Sequence, residues 1–305
     1  MPQQKLADSA LTPPRLDSPP IQPLERLLKF DETPSWFEGN QFILTGYRHE
    51  SRSAILCLHS WTYLHNESCN IYSHLLPAVA YAALHWCLVN IYLPSRYNTL
   101  SKGDGLILSL FLSTVVLCLG ASSLYHTFLN HSAPIAKRWL LCDYMGIITL
   151  IQGCFISGIY FGFYCEPYLQ RVYWTMIVVL GSLTATILLS SKFQDQKWRG
   201  FRVAVFVCTG LSAFAPITHA LFLYGLKRSM NVGLPYYLTE GAIIAFAAFI
   251  YERQIPERWF PGKFDIWGHS HTIFHSMVAL GMCVHFVGLL EALEYTYYNS
   301  QCTLR

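Results

Sequence analysis

The chain has 305 residues, 53% of them hydrophobic and only 13% charged, with a mean hydropathy of +0.31. That balance is unusual for a water-soluble protein and favours residence in a membrane. The net charge of +3 is too mild and too scattered to suggest nucleic acid, so that class of partner is excluded.

Residues 1–40 carry seven of the fifteen prolines together with Ser, Gln and charged residues, and they read as a disordered cytoplasmic tail. No apolar stretch follows the starting Met, so a cleavable signal peptide is not expected and the first membrane helix should direct insertion. Residues 41–74 are mixed and aromatic, with a short His- and Trp-rich helical piece, and read as an interfacial segment. Within it Glu67, Asn70 and His74 fall at steps of three and four on one helical face. A polar cap on a membrane helix and a functional role are both open to them.

Seven apolar runs follow, near 75–93, 106–125, 139–163, 172–190, 202–223, 236–251 and 271–290. Each is about long enough to cross 30 Å of hydrocarbon as a helix, which predicts an all-α, seven-transmembrane bundle over 75–290 with a tail at 291–305. Eleven Lys and Arg residues fall on one side and six on the other. This places the N-terminus in the cytoplasm and the C-terminal tail outside. The sequons at Asn66 and Asn130 then lie on the inner side and should carry no glycan. The ten cysteines lie mostly in apolar runs without a CxxC pair, which argues against a disulfide framework or zinc ribbon. Cys165 and Cys302 would both face outward, and a disulfide between them is left open.

The chemistry gathers at the inner end. The last run begins with His271 and His275, four residues or about 400° of helix apart, so both point one way and can share an ion. The second run ends with Ser122 and His126 at the same offset, and the third begins with Asp143 in its first turn. Three histidines and a carboxylate thus converge at one depth, where unpaired ionisable groups are costly. Three imidazoles with an open fourth position suit catalytic Zn²⁺; Asp143 could act on the water, and Ser122 on a carbonyl or oxyanion. The rival reading makes each a hydrogen-bonded packing residue, and His85, His219 and His285 are assigned that role. Asp143 could instead pair with Lys137 or Arg138, and His131 and His269 are decoys beside the cluster. The metalloprotease signature HExxH is absent.

The segments TGYR (Thr45 to Arg48), NESCNIYSHLLP (Asn66 to Pro77), SSLYH (Ser122 to His126), DYMGI (Asp143 to Ile147) and SHTIFH (Ser270 to His275) resemble the progestin and adipoQ receptor family. That family includes adiponectin receptors, fungal zinc-homeostasis proteins and haemolysin III-like proteins. The resemblance implies an intramembrane zinc near the cytoplasmic side, held by His126, His271 and His275, with Asp143 contacting its water and Ser122 in the pocket. It also implies a ceramidase-like amide hydrolase, coupled to lipid or sterol and zinc-homeostasis signalling, in the endoplasmic reticulum or plasma membrane. The substrate or ligand would be a ceramide-like lipid or a sterol. The alternative is a non-catalytic seven-helix receptor in which zinc is structural. A retinal protein is disfavoured because the run from His271 to Leu290 holds no lysine. A channel would spread polar residues along the full depth of a pore.

Overall fold

A computed structural model describes residues 26–37, 39–299 and 302. Most of the expected N-terminal tail, residues 1–25, and parts of the expected C-terminal tail lie outside the described residues. After a short helix α1 (Ala54–His59), seven helical spans are long and apolar enough to cross a membrane. They are α2 (Ser68–Arg96), α3 (Lys102–Phe128), α4 (Ala133–Gly162), α5 (Pro167–Leu189), a fifth span of two pieces, α8 (Leu234–Arg253) and α9 (Ser270–Asn299). The two pieces of the fifth span are α6 (Arg199–Leu211) and α7 (Phe214–Asn231). Among the described residues there is no β-strand, only an isolated bridge between Leu28 and Tyr47.

Local sequence sets the helix starts. Ser53 and Ser101 accept backbone N–H bonds from Leu56 and Gly103 as N-caps of α1 and α3, and proline opens α4, α5 and α8, where no N–H is needed. The last helix runs on to Asn299, nine residues past the apolar run, because Ala292, Leu293 and Thr296 still find buried positions beside α2 and α3.

Helix α3 is the centre of the bundle, with Leu108, Phe111, Leu112, Val115 and Leu119 fully buried among side chains of α2, α4 and α9. Close approach of α4 depends on Gly153, where a Cβ would run into the Thr114 side chain. The chain crosses back and forth, so the starts of α2, α4 and α9 share one end with the finish of α3. The opposite end is tied by a disulfide between Cys165 and Cys302.

The end that carries the histidines is closed by packed loops. Buried Arg48 donates to the carbonyls of His126 and Thr127 at 2.6 and 3.1 Å and to Ser60 Oγ at 2.7 Å, capping the last turn of α3. Asp265 accepts from Leu44 N and Thr45 Oγ1, and buried Glu257 accepts from Asn40 and from the backbone and hydroxyl of Ser270 at the start of α9. Through Arg48 and Thr45 the TGYR segment braces the end of α3 and the loop leading into α9, whose first residue Glu257 holds.

Candidate metal centre

His126 comes from the last turn of α3, and His271 and His275 from the first two turns of α9. One nitrogen from each lies within 4.8 Å of the others. The ring centroids are 4.9, 4.9 and 4.6 Å apart, and the planes cross at 83°, 70° and 69°, so the three imidazoles stand as blades about a common point. Stacked or parallel rings could not aim three lone pairs at one place; crossed rings can.

The hydrogen bonds behind these rings set which nitrogen is free. Glu67, immediately before α2, accepts from His126 Nδ1 at 2.7 Å, and the ring's other nitrogen, Nε2, is buried and without a hydrogen-bond partner. His275 Nδ1 bonds the Asn70 carbonyl at 3.1 Å with Ser73 Oγ at 3.2 Å, and thereby frees its own Nε2. Asn70 also donates to Glu67 at 2.7 Å and accepts from Thr272 Oγ1 at 2.8 Å, while His74 stacks on His275 at 3.7 Å. Burial alone would raise the Glu67 carboxyl, yet the hydrogen bonds from His126 and Asn70 hold it well below the usual carboxylate range. A carboxylate behind a buried imidazole is the usual support of a metal-ligating histidine. An orphaned buried Nε2 inside such a cluster fits a metal better than it fits packing.

Asp143 is buried on α4 and is not a member of the imidazole cluster. Its carboxyl stands near Ser122 and within electrostatic range of His126. No ion pair joins it to Lys137 or Arg138. His269 sits apart on the capping loop, bonded to Thr272 at 3.0 Å, and His131 bonds Ser132. His219 bonds Tyr173 at 2.8 Å as a packing residue should, whereas His285 has Glu240 at 2.6 Å and lies within a second group of donors. Ser122, His126, Asp143, His271 and His275 all line one cavity of about 780 Å³ that runs into the bundle. That is room for an acyl chain.

The sequence did place Glu67, Asn70 and His74 on one helical face, but their partners were not readable from it. Spacing within α2 gives a shared direction; only the packing of α2 on α3 and α9 shows that the direction is towards His126 and His275.

Fold and cluster together define an integral membrane protein of seven helices with a buried histidine centre near one end. The chain belongs to the haemolysin-III related family, whose model matches residues 62–286. It is similar to ADIPOR-like receptor IZH1 of Eremothecium gossypii, 36% identical over 86% of this chain and 83% of the relative, and to ADIPOR-like receptor IZH2 of Saccharomyces cerevisiae, 36% identical over 91% and 87%. The adiponectin receptor protein of Drosophila melanogaster is 33% identical over 92% of this chain and 62% of its own length.

Proposed function

We propose that the chain is a zinc-dependent amide hydrolase of the membrane interior, with His126, His271 and His275 as ligands and a ceramide-like lipid as substrate. The observation that carries this reading is the crossed three-imidazole cluster with its partnerless Nε2, opening on a cavity wide enough for an acyl chain. Zinc held there would supply Lewis-acid polarisation of a carbonyl and acidify water towards neutral pH. Asp143, beside the cluster and outside it, takes the proton of the attacking water and returns it to the amine as the C–N bond breaks. Ser122 steadies Asp143 and, once an amide enters, donates to its carbonyl oxygen. Glu67 and Asn70 keep His126 and His275 in the ligating tautomer. The products are a fatty acid and a sphingoid base.

The same reading puts the N-terminus in the cytoplasm. Lys and Arg crowd the histidine end, and the Cys165–Cys302 disulfide at the other end suits an oxidising compartment. Asn130 is buried at the histidine end, its amide spent on His49 O at 2.9 Å, so a glycan there would contradict both the packing and the topology.

A second reading, a receptor in which the ion only clamps helices, is favoured by the network that already joins α2, α3 and α9 around the cluster. The word receptor in the relatives' names belongs to this reading. Asp143→Asn separates the two. With a ceramide carrying a labelled acyl chain, the hydrolase reading expects turnover to collapse while zinc content stays. A wild type that binds zinc and releases no labelled acyl chain would leave the clamp.

A further inference from the structure

Deeper in the same cavity a second set of donors meets. Cys154 from α4, Glu240 from α8 and His285 from α9 each bring one atom within 4.8 Å of the others. The three come from three helices and none is a neighbour of another in the chain. His285 and Cys154 lie ten and eleven residues along their helices from His275 and Asp143, which at 1.5 Å per residue is about 15 Å nearer the disulfide end. We infer that Cys154, Glu240 and His285 form a second site for a divalent zinc-class ion, separate from the imidazole cluster and independent of the hydrolase reading.

The donor set suits the ion. A thiolate sulfur, a carboxylate oxygen and an imidazole nitrogen are the three ligand types zinc takes, and tetrahedral bonds of 2.0 to 2.3 Å put such donors about 3.5 Å apart. From separations of up to 4.8 Å the sulfur must draw in by at most about 1.3 Å, while the 2.6 Å His285–Glu240 contact opens by about 0.9 Å. Ser157 Oγ lies 3.2 Å from His285 Nε2 and donates its own proton to the Gly153 carbonyl, so Nε2 keeps its hydrogen and Nδ1 turns to the other donors. Glu240 Oε2 stands 2.6 Å from that Nδ1, and Cys154 Sγ lies within 4.8 Å of both donors. Met282 Sδ accepts from the Cys154 thiol at 3.8 Å and is a second sulfur beside the three donors. The hydroxyl of Tyr237, within electrostatic range of Glu240 and Cys154, is buried and has no hydrogen-bond partner.

Charge favours occupancy. A thiolate and a carboxylate cancel a divalent ion, so the loaded site is neutral and pays none of the penalty of an isolated charge in hydrocarbon. Loading exchanges one ion for two protons, one from the Cys154 thiol and one from the hydrogen-bonded His285–Glu240 pair. The approach of α8 to α9 that makes this contact depends on Gly281, where a Cβ would press Ile244 at 3.1 Å and reach the Glu240 stem at 3.7 Å.

Cobalt distinguishes the two sites, because only this one offers sulfur. The full chain, purified in detergent and loaded with Co²⁺, should bind two ions and show a sulfur-to-cobalt charge-transfer band in the near ultraviolet. Cys154→Ser, a one-atom change that spares the fold, should lose the band and one ion. The His271→Ala, His275→Ala double variant should lose one ion and keep the band. A wild type without the band, a band that survives Cys154→Ser, or a band lost with the double variant would each overturn the inference.

Discussion

The two donor clusters of one cavity are built on opposite plans. The cluster at the end of the bundle has three imidazoles from two helices. Its charge sits behind it in Glu67, and it is locked by the Arg48, Glu257 and Asp265 braces. The deeper cluster has one donor from each of three helices and keeps its carboxyl group among the donors, Glu240 lying against His285 with only 14% and 3% of their side chains exposed. Near a helix end, charge can be supplied from a loop. At mid-bundle no loop reaches, and the compensating group must come from another helix. The contrast teaches that depth decides how a membrane protein supports a polar site.

The largest effect is expected at Asp143, beside the imidazole cluster. Asp143→Asn should lower amide turnover by about 10²- to 10⁴-fold with metal content unchanged, read by product release from labelled ceramide beside metal analysis. Next comes the carboxylate behind His126: Glu67→Gln should weaken metal binding by about 10- to 100-fold in competition with a chelator. An unchanged affinity would show that the loop charge supports nothing.

The smallest effect concerns the brace. Buried His65 accepts the Glu67 N–H at 3.1 Å through Nδ1, and burial first, then the Arg48 charge, lowers its pKa from the ordinary 6.5 to about 3. Between those two values the unfolded chain holds a proton the folded chain does not, so stability should fall as pH falls through that window, by up to about 1.4 kcal/mol per pH unit. His65→Asn keeps an acceptor for the Glu67 N–H without the titration. Its melting temperature should drop less than wild type's on going from pH 7 to pH 5. An equal drop in both would assign the acid sensitivity elsewhere.

How much of this was legible in the sequence followed the same division. The seven spans were readable because hydropathy alone decides them, but their ends were not: the first span starts at Ser68, the fifth is two helices that reach Asn231, and the last runs on to Asn299. The imidazole cluster was readable because two pairs at four-residue spacing lie at helix ends whose common level follows from the count of crossings. Glu67 was placed on the right face without its partner. The deeper cluster was not readable at all: Cys154, Glu240 and His285 stand singly in apolar runs, His285 looks like a packing residue, and their meeting depends on the rotation of three helices about their own axes. Sequence periodicity fixes faces within a helix and says nothing of which faces meet.

The most direct test is the zinc content of the purified full chain beside the His271→Ala, His275→Ala double variant, with Cys154→Ser in both so that only the imidazole cluster is counted. The account requires one zinc per chain in the parent and none in the double variant. Equal zinc in the two would contradict it.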